Sequence, residues 1–293
     1  MNSSNRLILD ASGLNHLADD PERPSLLAGI TSGYFPRITS TNIEEIAATV
    51  GAQRKRELLD VCQALLATGE CINAYHEITT DMIRDFDRGG PFDWRQLPVR
   101  FHAAEREVIR REIICDEKLA VEQGIELKAN DKVFKSIFTD ARPHFDEIFE
   151  NHGERIKDCK VLVEALQTGK GGAFWAIGDD LYKRVTGRET DEATIRKFVD
   201  ACPPFKALLL AICIAEFEYT IRDSHIGTSL RAGRMDLYSA TYLPYCDQFI
   251  TADKRQRNAL KEIVALGGLA TEIVLYSDFR ERLLPTTLLN TTA

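Results

Sequence analysis

The stretch Gln248-Phe249-Ile250-Thr251-Ala252-Asp253-Lys254, near the end of the 293-residue chain, indicates the fold more clearly than any other. Its run of Phe, Ile and Thr predicts a short buried strand. The Asp that follows is a favoured residue at a helix start, where its carboxylate accepts backbone N–H bonds. An apolar helical pattern then continues through Leu260 and Val264 and ends at Gly267-Gly268. This part of the chain therefore predicts a strand, a tight turn and a helix.

The same order occurs at the start of the chain. Leu7-Ile8-Leu9 predicts a strand that ends at Asp10, with turn residues behind it. A second extended stretch, residues 34–38, leads into a helix that we expect Asn42 to cap. Residues 272–276 predict a last strand. Short strands that alternate with helices predict an α/β fold, with a mostly parallel central sheet between two helical layers.

A region of different character separates these two parts. Residues 76–228 have helical periodicity, few β-branched runs and an acidic balance of charge. We expect residues 1–75 and 229–293 to form the two parts of one core, interrupted by an all-helical insertion at 76–228. Within the insertion, Leu208, Ile212 and Ala215 predict one apolar stripe, and residues 103–122 predict a long polar helix.

Composition limits the class of protein. The net charge of −8 argues against a pure nucleic-acid-binding protein, whose affinity comes mainly from phosphate neutralisation. The seven cysteines form no CxxC pair, which favours core thiols in a reducing compartment over disulfides or zinc ligands. No secretory signal is recognisable, and the longest apolar run, residues 207–215, is too short for a membrane span. We therefore expect a cytoplasmic protein with no membrane association.

Four acids fall at the predicted junctions. Asp10 and Asp253 follow strands, Asp236 opens a helix, and Glu45 lies in the first turn of another. Ligands of open α/β sheets bind beyond the carboxyl ends of the strands, so these acids are candidates for one cluster. Clustered carboxylates repel each other unless a cation neutralises them, and Mg²⁺ or Mn²⁺ suits oxygen-only ligands. Such an ion supports hydrolysis of a phosphodiester.

These blocks resemble the PIN domain family of metal-dependent ribonucleases. The resemblance rests on LILDAS at the start, TSTNIEEIA at 39–47, and Asp236-Leu237-Tyr238-Ser239-Ala240 followed 17 residues later by the Asp of Thr251-Ala252-Asp253. It implies a PIN-like three-layer core, four catalytic metal-binding acids (Asp10, Glu45, Asp236 and Asp253), an RNA substrate, and a role as a toxin or an RNA-processing enzyme. It covers about residues 5–75 and 229–280, and the large insertion departs from the family.

Each acid also has a simpler interpretation. The three aspartates could only cap helices, and Glu45 could complete a capping box with Asn42. Glu44 competes with Glu45 as a ligand. Three further residues could orient the metal ligands or could instead be turn residues. They are Ser12, Thr251 and Asp247.

Basic residues flank two of the acids. Arg231 and Arg234 precede Asp236, and Lys254 and Arg255 follow Asp253, so they could contact phosphates or form a solvated surface. The acidic insertion suggests a protein partner or self-association. Two rival functions stay open: a non-catalytic PIN-like scaffold that binds proteins through the insertion, and a DNA-directed nuclease of flap type.

Overall fold

A computed structural model describes residues 5–89, 92–96, 159–168, 172–217 and 237–284. One sheet contains five strands: β1 (Asn5–Leu9), β2 (Tyr34–Thr39), β3 (Glu70–Ile72), β4 (Gln248–Thr251) and β5 (Glu272–Leu275). Their order is β3-β2-β1-β4-β5, and every neighbouring pair is parallel. The α/β class and the parallel sheet that the sequence predicts are thus confirmed.

The helices within the described ranges are numbered here in chain order. They are α1 (Ala11–Asp19), α2 (Arg23–Gly33), α3 (Ser40–Ala48), α4 (Ala52–Leu66), α5 (Tyr75–Asp87), α6 (Cys159–Thr168), α7 (Ala173–Thr186), α8 (Glu192–Ala201), α9 (Pro203–Phe217), α10 (Lys254–Gly267) and α11 (Tyr276–Leu283). A 3₁₀ helix spans Ser239–Tyr245.

The strands are buried on both faces, as is usual for a parallel sheet. Successive side chains of a strand point to opposite faces. In β1, Leu7 and Leu9 therefore pack into one hydrophobic cluster while Ile8 packs into the other. Phe249 and Ile250 of β4 divide in the same way. This continuous burial explains why the strands read as apolar runs and not as alternating patterns.

Each cluster belongs to one helical layer. Helices α1 to α4 and α11 cover one face of the sheet, and α5 to α10 with the 3₁₀ helix cover the other. The second layer is built largely from the segment that the sequence assigns to the insertion, and its helices share a cluster with Ile8, Ile72 and Phe249. The three layers are confirmed, whereas the exact bounds of the insertion stay a prediction, as does a helix at 103–122, which lies outside the described residues.

Helix α9 differs from the expected single stripe. All its residues from 207 to 215 are 3% exposed or less, because α6, α8, α10 and the 3₁₀ helix surround it. The six described cysteines are buried free thiols, in keeping with a core role. Among the described helices, no single one is long and apolar enough to cross a membrane. Helices α8 and α9, which meet at a sharp bend, have the length and composition of a membrane span only when they are taken together.

Candidate functional site

A cleft with a cavity volume of about 110 Å³ opens at the carboxyl ends of β1 and β4. The chain leaves β1 toward β2 and β3 on one side and later returns to β4 on the other, so this is the topological switch point. The Asp10 N–H donates to the Ile250 carbonyl at 3.0 Å and ties the two strand ends together. Asp10, Glu45 and Asp253 all line the cleft. The fold therefore brings together acids that lie up to 243 residues apart in the sequence.

Asp10 is held by the turn that follows β1. Its Oδ1 accepts from the Gly13 N–H at 2.6 Å, and its carboxylate accepts from Ser12 Oγ at 2.8 and 2.9 Å. A Cβ on Gly13 would lie 3.1 Å from the Ile250 carbonyl oxygen, so glycine lets α1 approach β4 closely. Burial raises the pKa of Asp10, the bonds from Gly13 and Ser12 oppose that rise, and the charge of Asp253 adds to it. The net result is a raised pKa, with burial as its largest cause.

Asp253 caps α10, as the sequence suggests. Its Oδ1 accepts from the backbone N–H groups of Arg255 at 2.6 Å and Gln256 at 3.2 Å. Its own N–H donates to Thr251 Oγ1 at 3.0 Å. Both Asp10 and Asp253 are thus helix caps that also line the cleft. Capping is confirmed and is compatible with metal binding, which stays a prediction.

The helix that carries Glu45 begins earlier than the sequence suggests. Helix α3 starts at Ser40, with Thr39 as its N-cap, so Glu45 lies in the second turn and not the first. The capping box joins Thr39 to Asn42, which places Asn42 inside the helix and removes it as the cap. A capping box between Asn42 and Glu45 is therefore wrong, because Asn42 Oδ1 already accepts from the Thr39 N–H at 3.0 Å.

Glu45 and Glu44 occupy different surroundings. Glu45 lines the cleft, whereas Glu44 does not. Burial raises the pKa of the Tyr242 hydroxyl, the Thr41 hydroxyl lowers it, and the charge of Glu44 raises it further. The charge of Glu44 thus acts on Tyr242, which itself lines the cleft, although Glu44 does not. The geometry favours Glu45 as the acid that belongs with Asp10.

A hydrogen-bonded chain of polar side chains supports the acids. Ser12 Oγ lies 3.1 Å from Thr251 Oγ1 and accepts from the Ala252 N–H at 2.8 Å. Thr251 Oγ1 donates to Gln256 Oε1 at 2.6 Å, and Gln256 Nε2 donates to Ser239 Oγ at 3.4 Å. Ser12 and Thr251 therefore lie where the sequence suggests, around the carboxylates of the cleft.

Sequence reasoning missed Gln256. Its side chain is 3% exposed, and it lines the cleft together with Ser239. The signal was available, since Gln256 falls three residues after Asp253, on the face of α10 that also carries Leu260 and Ile263 into the core. A buried glutamine on such a face needs polar partners, and the end of β4 supplies them.

Asp247 does not join the cleft, and a supporting role for it there is wrong. It precedes β4 at the amino ends of the strands, about 13 Å from Thr251 at the usual rise of a strand. Its carboxylate accepts from the Arg6 N–H at 2.7 Å and from the Arg6 guanidinium at 2.7 and 3.1 Å. This pairing lowers the pKa of Asp247 and gives it a structural role at the amino ends of the strands, away from the cleft.

Three of the predicted site residues, Asp236, Arg231 and Arg234, lie outside the described residues. Ser239 and Tyr242, three and six residues after Asp236, line the cleft. Lys254 and Arg255 are exposed in the first turn of α10, directly after Asp253, and neither lines the cleft.

The cleft offers oxygen donors, the type of ligand that a hard divalent cation prefers. The acidic side chains among its lining residues are the three carboxylates of Asp10, Glu45 and Asp253. Within the described residues, no group of three or more His, Cys, Asp or Glu side chains is close enough to hold one ion by itself. Oxygen ligands supplemented by water are the usual environment of Mg²⁺.

Comparison with known proteins assigns no family to the chain. No protein-family model, no curated protein and no solved structure matches it.

Proposed function

We propose that the protein is a metal-dependent endoribonuclease with a PIN-like core, which hydrolyses RNA phosphodiester bonds. The proposal rests above all on the convergence of Asp10, Glu45 and Asp253 on one cleft at the switch point of the sheet. Helix capping accounts for the positions of the two aspartates. It does not account for Glu45, which lies in the second turn of α3 and still lines the same cleft.

In this proposal, Asp10, Glu45 and Asp253, with Asp236 as a fourth ligand, would hold Mg²⁺ or Mn²⁺. When bound, such an ion activates water and stabilises the charge that develops on a phosphate under attack. Neighbouring hydroxyl side chains would orient these carboxylate ligands. Ser12 donates to the Asp10 carboxylate, and Thr251 accepts from the Asp253 N–H, so both aspartates are held in place.

Substrate contacts are proposed for the cations beside the acids. Lys254 and Arg255 are exposed at the amino end of α10, where the helix dipole also favours an anion. Arg231 and Arg234 are proposed to contribute in the same way. The helical layer is proposed to bind a protein partner or a second copy of the chain, because its acidic balance disfavours contact with RNA.

A nuclease assay tests the proposal. Pooled single-stranded RNA and matched single-stranded DNA are incubated with the full chain and Mn²⁺, and Asp10→Asn and Asp253→Asn are compared with wild type. Asp200→Asn is the matched control, since Asp200 is an exposed acid on α8. We expect RNA cleavage that disappears in both site variants and on chelation but persists in the control.

Other outcomes point elsewhere. Cleavage that survives in both site variants would overturn the site. Cleavage of DNA alone would favour a flap-type nuclease, and inactivity on both nucleic acids would favour a non-catalytic scaffold.

A further inference from the structure

A second cavity, of about 250 Å³, adjoins the cleft. Ala11, Asn42 and Glu45 line both spaces, so the cavity and the cleft lie side by side and share one wall. The rest of the second cavity is lined by Leu14, Asn15, Ile46, Thr49 and Leu58. A strand of RNA whose phosphate occupies the cleft would bring a neighbouring nucleoside to this cavity.

The chemistry of this cavity suits a nucleobase better than a phosphate. No Lys, Arg or His lines it, and Glu45 would repel an anion. Its walls combine aliphatic side chains with the carboxamides of Asn15 and Asn42. A nucleobase has apolar faces and a polar edge, which is the combination that such walls can contact.

The carboxamide of Asn42 has a fixed orientation. Its Oδ1 accepts from the Thr39 N–H at 3.0 Å and from Thr39 Oγ1 at 2.7 Å. Because a backbone N–H can only donate, the atom that faces Thr39 must be the oxygen. The Nδ2 group is left as a donor, and no described residue accepts from it. Asn42 lines both spaces, and because Oδ1 is engaged with Thr39, its carboxamide can offer a ligand only the N–H groups of Nδ2.

The other polar groups are already engaged. Asn15 Nδ2 donates to the Ala11 carbonyl at 2.8 Å, and its Oδ1 accepts from Arg54 Nη2 at 2.7 Å. Thr49 Oγ1 donates to the Glu45 carbonyl at 2.9 Å. In the proposed function the Glu45 carboxylate is a ligand of the ion. Asn42 is thus the polar group best placed to read the edge of a base.

We infer that the second cavity is a nucleobase subsite in which Asn42 Nδ2 donates to a carbonyl oxygen, so that a keto base is preferred to an amino base of the same size. The inference rests on the proposed function, since RNA reaches the cavity through the cleft. Uracil O4 and guanine O6 accept hydrogen bonds, whereas cytosine N4 and adenine N6 donate them. The expected preference is therefore uracil over cytosine and guanine over adenine.

The test varies one base in an otherwise constant single-stranded RNA, at each position next to the mapped cleavage site. For the wild-type chain with Mn²⁺ we expect kcat/KM to be about tenfold higher for uracil than for cytosine at one position. At that position a pyrimidin-2-one ribonucleotide, which lacks O4, should be cut as slowly as cytosine. Equal rates for all three bases at every position would overturn the inference.

A variant makes the test sharper. Asn42→Asp keeps the acceptor for Thr39 and replaces the Nδ2 donor by an acceptor of the same size, so cytosine should become the better substrate. The preference is a ratio within one variant, so a uniform loss of activity from the added charge cancels. Asn258→Asp, at an exposed position of α10, is the matched control and should keep the wild-type preference. An unchanged preference in Asn42→Asp would count against the subsite.

The subsite and the proposed function can fail separately. If no RNA is cut, the proposed function fails, and the binding of short oligouridylate and oligocytidylate to the full chain in chelator decides about the subsite. Tighter binding of oligouridylate that is reversed in Asn42→Asp supports the subsite, and equal binding overturns it. Cleavage without any base preference overturns the subsite alone.

Discussion

Ser12 and Thr251 lie 239 residues apart in the sequence, yet their hydroxyl oxygens are 3.1 Å apart. Ser12 Oγ also donates to the Asp10 carboxylate and accepts from the Ala252 N–H. One small side chain thus joins the acid after β1 to the turn that carries Asp253. The relative position of the two aspartates depends on this junction.

The first prediction concerns that junction. In Ser12→Ala the Asp10 carboxylate loses one of its donors and the Ala252 N–H loses its acceptor. We expect kcat/KM on RNA to fall by roughly 10- to 100-fold, as for other groups that orient metal ligands, while the circular dichroism spectrum stays unchanged. Ser32→Ala is the control, because the Ser32 hydroxyl bonds only within its own exposed helix end. Full activity in Ser12→Ala would show that the junction is not needed.

The second prediction concerns Gln256. In Gln256→Leu the buried Thr251 hydroxyl loses its 2.6 Å acceptor, and an unsatisfied buried polar group costs about 1–3 kcal/mol. We expect the free energy of unfolding in urea to fall by that amount. Gln53→Leu, at an exposed position of α4, should change it by less than about 0.5 kcal/mol. Equal effects of the two substitutions would contradict the structural role of Gln256.

The third prediction separates the two neighbouring glutamates of α3. Glu45 lines the cleft and Glu44 does not. We expect Glu45→Gln to lower kcat by roughly a hundredfold or more, and Glu44→Gln to keep the rate within a few-fold of wild type. Initial rates on one RNA substrate measure both. A larger loss of kcat in Glu44→Gln than in Glu45→Gln would assign the metal-ligand role to Glu44.

The fourth prediction concerns metal binding without any assay of activity. A cation that binds only the folded chain stabilises it, by about 2.7 kcal/mol at a hundred times its Kd. We expect Mn²⁺ to raise the thermal midpoint of the wild type, but not of Asp10→Asn or Asp253→Asn. In chelator, Asp10→Asn should melt above the wild type, because burial disfavours the charged carboxylate. Equal Mn²⁺ shifts in all three proteins would place the ion elsewhere.

The fifth prediction concerns the pH dependence of stability and the polar contact that holds α11 against the end of α1. Asp20 Oδ2 accepts from Arg280 Nε at 2.7 Å and from the Tyr276 hydroxyl at 3.1 Å. Burial raises the pKa of Asp20, but the bonds from Arg280, Glu22 and Tyr276 outweigh burial and leave the pKa lowered. The ionised carboxylate therefore stabilises the fold above the unfolded pKa of about 3.9, and this contribution is lost as the pH falls through the folded value.

We accordingly expect Asp20→Asn to lower the melting temperature at pH 7 by roughly 2–4 °C. The difference from wild type should shrink as the pH falls below about 4. Melting curves from pH 3 to pH 7 measure it. A difference that stays constant over this range would mean that the charge of Asp20 does not contribute.

The sequence by itself determined four of the five strands, all but β3, and the places where Asp10 and Asp253 follow two of them. Runs such as Leu7-Ile8-Leu9 are recognisable because strands buried on both faces need apolar side chains at every position. Asp10 and Asp253 are recognisable because the residue after a strand that enters a helix must satisfy free N–H groups. Both signals are local, so composition and spacing within ten residues are enough to reveal them.

Only the tertiary structure decided which of these residues share a site. Asp247 and Asp253 are near neighbours in the sequence, yet they lie at opposite ends of the strand β4. Asn42 lines a cavity whose walls come from α1, α3 and α4, which meet only in the folded chain. The physical reason is that the order of parallel strands is set by burial of both faces of the sheet, which no local pattern of residues encodes.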